Sequence, residues 1–240
     1  MRLSLKISFS FGAISGVIFF IMLSSLNTSS TETLSLLSPY FLTYGMPLEN
    51  LSVQKLLSQG SPYLGNTSAP LTLIDFSDFQ CYLCKRYVDN TEQQINDTYV
   101  QKDKILYIFK HLPNRGLNSF NASLAAQCTN DEGQFWKYHK TLYENQGGID
   151  TGWVSNEKLK EFASTLDGIN MTDFDSCVDT KKYESLVKDD IRLGNSLGFM
   201  ETPSFALINN NDQSVKKIQG PKPFPIFQIY IEDMLAKSKQ

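Results

Sequence analysis

The chain has 240 residues, 41% of them hydrophobic and 20% charged, with a formal net charge of −3 at pH 7. That acidic balance, without any Lys/Arg block resembling a phosphate-binding stripe, argues against nucleic acid as a partner. About 210 residues follow an apolar N-terminal run, enough for one globular domain with a sizeable core.

Arg2 and Lys6 precede an uncharged, mostly apolar run from Ile7 to Leu26, about 20 residues and so long enough to span a bilayer as a helix. Positive charge before the run and none soon after it place the remainder outside the cytoplasm. Ser24-Ser25-Leu26 and Ser25-Leu26-Asn27 fit a small-x-small cleavage exit poorly. A retained single-pass anchor is therefore expected, with secretion after signal cleavage as the alternative. The expected organisation is an anchor or signal sequence over 1–26, a Ser/Thr/Leu-rich spacer over 27–59 with a short helix near Leu51 to Leu57, and one domain over 60–240. Asn27, Asn50, Asn66, Asn96, Asn121 and Asn170 each begin an Asn-x-Ser/Thr triplet, an acceptor pattern in an exported chain.

Leu71 to Phe76 is a short apolar run of β type, and Ser77-Asp78-Phe79-Gln80 supplies a turn with capping chemistry before a helix from Lys85 onward. Cys81-Tyr82-Leu83-Cys84 falls at this junction. Two thiols at that spacing can close a disulfide within one helical turn. The first faces unsatisfied backbone N–H groups and the positive end of the helix dipole, so its pKa is expected below the free value of about 8.5. Asp75 interrupts the buried strand pattern, and a carboxylate is costly to bury without a partner or a purpose. It is either a proton acceptor beneath Cys84 or a strand-end Asp bonded to a neighbouring backbone N–H.

Ile105 to Lys110 reads as a second strand, ended by Pro113, Asn114 and Gly116. From Asn118 to about Leu197 the pattern is helical, broken at Gly147-Gly148 and Gly168, with Asn118 to Asn121 able to cap its first helix. A third strand runs from Pro203 to Asn209, a hairpin turn over Asn210-Asn211-Asp212, and a fourth strand from Val215 to Gln219. Pro223 or Pro225 opens a last helix with Ile226, Ile229, Tyr230 and Met234 near one face. Lys110 is a candidate partner for Asp75 across adjacent strands. His111 and His139, the only histidines, sit in no metal or base motif, and packing or surface is the expected place of His139. A zinc site on Cys81 and Cys84 would need two further ligands, and there is no second Cys-x-x-Cys. No metal and no cofactor are expected.

Gly60-Ser61-Pro62-Tyr63-Leu64-Gly65-Asn66 through Ala69-Pro70-Leu71 to Cys81 resembles the opening of DsbA-like members of the thioredoxin superfamily. The likeness continues through Glu132 to His139, in their helical insertion, and Leu197-Gly198 with Glu201-Thr202-Pro203-Ser204-Phe205, at their return to the sheet. It covers roughly residues 60 to 236 and implies an α/β thioredoxin-like fold with a helical insertion at about 117–197. It implies Cys81 as the attacking and Cys84 as the resolving cysteine, a cis bond between Thr202 and Pro203, and substrate peptides docking beside that pair as an added strand. An ordinary strand-start proline is the alternative. Tyr82-Leu83 stands where the strongest oxidants of the family carry Pro-His, so no imidazole supports the thiolate, and a less depressed pKa and a less oxidising potential are expected. Lys85 and Arg86 are candidates to compensate, or else a solvated helix face.

An extracytoplasmic home favours oxidised thiols. Cys128 and Cys177, both in the insertion, are expected to pair, closing a loop that stabilises by roughly 3 to 4 kcal/mol; two separate buried thiols are the alternative. The expected activity is thiol–disulfide exchange with exported cysteine-containing proteins, most readily as an oxidase that a membrane-embedded, quinone-linked partner recycles. A tethered reductase or isomerase, an enzyme of small thiols, and a peptide-binding assembly factor with a static Cys81–Cys84 staple remain open.

Overall fold

The computed structural model describes residues 52–238. The expected anchor and most of the expected spacer lie outside the described residues. Among the described residues no helix is long and apolar enough to cross a membrane.

A short helix α1 (Val53–Ser58) leads to the two-residue strand β1 (Tyr63–Leu64), which sequence patterning cannot register at that length, and then to β2 (Leu71–Ser77). Helix α2 starts at Tyr82–Tyr87 and runs on through two wide turns, Val88–Glu92 and Asn96–Val100, before β3 (Ile105–His111). The insertion follows: α3 (Leu117–Cys128), α4 (Phe135–Glu144), α5 (Asn156–Ser164), α6 (Met171–Asp179) and α7 (Glu184–Ser196). The chain returns through β4 (Ser204–Asn209) and β5 (Val215–Gln219) to α8 (Phe224–Lys237).

The sheet order is β1-β3-β2-β4-β5. β2 and β3 run parallel, and the other neighbours pair antiparallel. β2, β3 and β4 are buried along their whole length, as strands covered on both faces must be. Alternation sorts their side chains. Leu71, Leu73, Tyr107, Phe205 and Leu207 pack on Tyr87 and Tyr99 of the α2 run and on Phe227 and Ile231 of α8. Ile74, Phe76, Leu106, Ile108, Ala206 and Ile208 pack on Leu56, Leu197 and Phe199. Helix α7 comes close to this second face because residue 194 is glycine: a Cβ there would lie 3.1 Å from Leu112 and 3.3 Å from Phe76.

Three local expectations are corrected. The buried face of α8 carries Phe227, Ile231, Met234 and Leu235, while Ile229 is exposed; the helix is rotated from the Ile226/Ile229/Tyr230 phase because Phe227 contacts Tyr87 and Phe205. Asn118 to Asn121 lie inside α3, whose first N–H groups, of Leu117 and Asn118, donate instead to the Asp150 carboxylate at 3.0 Å each. Lys110 pairs with buried Asp190 at 2.7 Å. Asp75 is in register with Phe109, so the next residue, Lys110, points to the opposite face of the sheet.

Candidate functional site

Cys81 is the N-cap residue of α2, with extended backbone angles, and Cys84 lies in the first turn. Both are free and buried. The turn before them is built by Asp78, which accepts from Gln80 N at 2.8 Å while its carbonyl accepts from Cys81 N at 3.0 Å. The other carboxylate oxygen of Asp78 takes the N–H groups of Asn114 and Arg115 at 2.7 and 2.8 Å. A loop from the insertion clamps the same turn: Gln146 Nε2 donates to the carbonyls of Phe79 and Cys81, at 2.6 and 3.1 Å, and Asp150 N donates to Gln80 Oε1 at 2.8 Å.

The Thr202–Pro203 peptide bond is cis. Cys81 Sγ donates to the Thr202 carbonyl at 3.3 Å, and the Thr202 hydroxyl donates to Asn114 Oδ1 at 3.2 Å. The Asn114–Arg115 segment therefore ties the cysteine turn to the Thr202 loop.

The two thiols titrate in opposite directions. A hydrogen bond from the Cys84 thiol pulls the Cys81 pKa down to about 6 against the opposing pull of burial, with the Thr202 side chain and the Cys84 and Leu83 N–H groups also favouring the thiolate. Burial drives Cys84 well above its ordinary value, and the bond to Cys81, the Cys81 charge and, last, Asp75 add to that. A pKa near 6 lies between the values of about 3.5 for DsbA and about 7 for thioredoxin. Lys85 is spent on Asp89 at 3.2 Å.

Asp75 is fully buried. Among the described residues no backbone N–H serves it: Ser77 Oγ donates at 2.6 Å and Tyr107 OH at 2.8 Å. Burial raises its pKa to about 7 despite those two bonds. Tyr107 OH also lies 3.3 Å from Glu92 Oε1 and 3.2 Å from Tyr87 OH. Burial, reinforced by the charge of Asp75, raises Glu92 to about 8. Tyr107 has one proton to give. With that proton on Asp75, a protonated Glu92 donates to the Tyr107 oxygen, which makes a directed chain from Glu92 to Asp75. Glu92 in turn lines a groove of about 450 Å³ shared with Trp136 and Lys140. His139 Nε2 lies 3.6 Å from Glu92, and both histidines are buried among Phe79, Phe109 and Phe135. Burial pushes each of them down to about 3, so they are neutral packing groups.

A cleft of about 510 Å³ opens beside Cys81, walled by Tyr82, Leu83, Arg115, Gln146 and the Gly147 to Ile149 loop. Away from it, a disulfide joins Cys128 at the end of α3 to Cys177 in α6, 49 positions apart with Cα atoms 5.9 Å apart. Among the described residues no group of His, Cys, Asp and Glu is arranged to hold a metal ion.

The structure thus brings Cys81, Cys84, Asp75, Thr202 and Pro203 to one end of the sheet and leaves Cys128 and Cys177 outside that group. Sequence patterning does not announce Tyr107, Glu92, Asn114 or Arg115. Asn114 and Arg115 do carry one signal: they follow the carboxyl end of a parallel strand, where open α/β sheets gather their ligands.

A family model described as thioredoxin matches residues 57–224. Among curated proteins, disulfide bond formation protein D of Bacillus subtilis is 26% identical over 160 residues, 66% of this chain and 71% of the relative. Among solved structures, oxidised BdbD of Bacillus subtilis superposes with a TM-score of 0.67 at 25% identity, covering 74% of this chain and 94% of that one. Alpha-DsbA1 of Wolbachia pipientis superposes with a TM-score of 0.64 at 24% identity, covering 82% and 96%.

Proposed function

The chain belongs to the thioredoxin family as a DsbA-like protein thiol–disulfide oxidoreductase, and from that premise we propose that it donates disulfides to exported proteins through Cys81 and Cys84. The observation that carries this reading is the asymmetry of the pair: Cys81 lowered to about 6 beside a Cys84 held well above the ordinary thiol range. A stabilised Cys81 thiolate favours the reduced pair, and a pair that prefers to be reduced is an oxidant.

In the oxidising direction a substrate thiolate attacks Cys81 Sγ of the Cys81–Cys84 disulfide, the S–S bond breaks, and the electron pair leaves on Cys84. Cys84, with its high pKa, needs a proton. Asp75, at about 7, can hold one at neutral pH and give it up, and Tyr107 and Glu92 can return it from the groove that Glu92 lines. The second substrate thiolate then attacks the substrate sulfur of the mixed disulfide. That releases Cys81 as the thiolate, the better leaving group, and leaves the substrate oxidised by two electrons. Thr202 and Pro203 flank the reacting sulfur and present an extended edge for the substrate peptide. The reduced pair hands its two electrons to a membrane-embedded, quinone-linked acceptor, and the N-terminal run from Ile7 to Leu26 holds the enzyme at the outer face of that membrane. The spacer over 27–59 gives the domain over 60–240 its reach, and the Cys128–Cys177 disulfide stabilises the insertion.

Reoxidation of a reduced, unfolded protein tests this. Wild type, recycled by glutathione disulfide, restores the substrate's disulfides and Cys81→Ser does not. Cys84→Ser, offered a disulfide-bonded substrate, is trapped as a mixed disulfide because its Cys81 thiolate attacks that bond and releases one substrate thiol. Full restoration by the Cys81→Ser, Cys84→Ser double variant would overturn the reading in favour of a binding module with a static staple.

A further inference from the structure

Arg115 is a charged group in the Cys81 cleft that neither the fold nor the proposed chemistry uses. Its backbone N–H is anchored to Asp78 at 2.8 Å, which fixes where the side chain begins. The side chain lines the cleft with Cys81, Tyr82 and Ile149. Among the described residues the guanidinium makes no ion pair, and its Nε is buried with no hydrogen-bond partner. A buried donor left unsatisfied is costly, so an acceptor there is worth having. The other polar side chains of this wall are committed: Gln146 to two carbonyls, Gln80 to Ser119 and Asp150, and Lys85 to Asp89.

The rim around this cation is apolar and open. Tyr82 is 68% exposed and Ile149 54% exposed on the cleft wall. Leu117, two residues past Arg115, and Met200, whose carbonyl accepts from Asn114, are exposed as well. One fixed cation with unspent donors inside an exposed apolar rim suits an extended segment that carries a carboxylate and an apolar residue next to its reacting cysteine. A planar guanidinium fork meets a carboxylate bidentately.

We propose that Arg115 is a specificity residue of the exchange reaction, selecting protein substrates with an Asp or Glu close to the cysteine that pairs with Cys81. This rests on the redox reading of the site, and the experiment separates the two. Short dithiol peptides identical except for Glu, Gln or Lys beside the first cysteine are oxidised by the full chain and by Arg115→Ala, and second-order rate constants are compared as ratios. The ratio of ratios cancels the intrinsic reactivity of each peptide thiol. The Glu-to-Gln ratio in wild type should exceed that in Arg115→Ala by about twofold to fivefold, the span of partly exposed ion pairs, and should shrink as salt is raised. Arg115→Glu should move the preference to the Lys peptide, which a merely structural role would not do. Exchange with bis(2-hydroxyethyl) disulfide, a small neutral reference, is measured for all three proteins, and each peptide rate is divided by it so that any change in Cys81 reactivity cancels. A Glu-to-Gln ratio unmoved by Arg115→Ala, or a uniform slowing that includes the reference, overturns the inference while leaving the redox reading intact. Absence of exchange with the reference and with every peptide overturns the redox reading and the inference with it.

Discussion

Two cysteine pairs in one chain separate what a sulfur–sulfur bond does for structure from what it does for chemistry. Cys128 and Cys177 are 49 positions apart and link two helices of the insertion, so their bond restrains a long stretch of unfolded chain. Cys81 and Cys84 share one helical turn, so closing them restrains almost nothing. In exchange they are wired to the Thr202 carbonyl on one side and, on the other, to groups that titrate, the Asp75, Tyr107 and Glu92 chain. Loop length sets the structural worth of a disulfide, and the surrounding protons set its reactivity.

Breaking each pair should therefore give opposite results. Cys81→Ser is expected to reduce protein oxidation to background with little change in melting temperature. The Cys128→Ser, Cys177→Ser double variant is expected to keep the exchange rate within about twofold while losing roughly 3 to 4 kcal/mol of stability. Thermal unfolding should read that loss as a fall in Tm of about 6 to 16 °C. A double variant that is fully stable but inactive would reverse the comparison.

The parts of this account differ in how legible they are in the sequence. Cys81, Cys84, Asp75, Thr202 and Pro203 stand out because they break local patterns: thiols at a helix start, a carboxylate in an apolar strand, a proline before a strand. The central strands are legible because burial on both faces leaves an uninterrupted apolar run. Tyr107 is not legible, because a tyrosine in a strand looks like any core aromatic until register places it on the face of Asp75. Register also decides against Lys110 as the partner of Asp75, by a shift of one residue. Glu92 lies in the first wide turn of the α2 run, where the spacing of an ordinary helix assigns faces wrongly. Asp150 caps α3 from 33 residues away, beyond the reach of any local capping rule.

The titrations sharpen the comparison further. Alkylation of Cys81 in the reduced protein should rise with pH around a midpoint of about 6, the value to which it is lowered, and Cys81→Ser should abolish the transition. A midpoint near the free value of about 8.5 would remove the asymmetry on which the pair depends.

A smaller effect is expected from Asp75. Its folded pKa of about 7 lies above the ordinary carboxyl value of 3.8, so the folded state binds the proton more tightly than the unfolded one. Its contribution to stability is full below about pH 4 and is lost as pH rises through about 7. Asp75→Asn should flatten that decline in urea unfolding series of the oxidised protein, and should slow the step in which Cys84 gains or loses its proton. An unchanged pH slope would mean that Asp75 is not buried as described.

Smallest is the effect of Glu92→Gln. Gln keeps the neutral state that Glu92, raised to about 8, already has where Asp75 titrates, so the midpoint of the Asp75-dependent decline and the Cys81 alkylation midpoint should both stay in place while proton return through Tyr107 slows. Movement of both midpoints together would indicate a general disturbance of the site.

The most direct test of the central claim is the reduction potential of the Cys81/Cys84 pair, measured by equilibrating the protein with glutathione buffers and counting the reduced fraction. The proposed role as a disulfide donor predicts a value near or above about −180 mV. A value near about −270 mV would contradict the account and make the same pair a reductant.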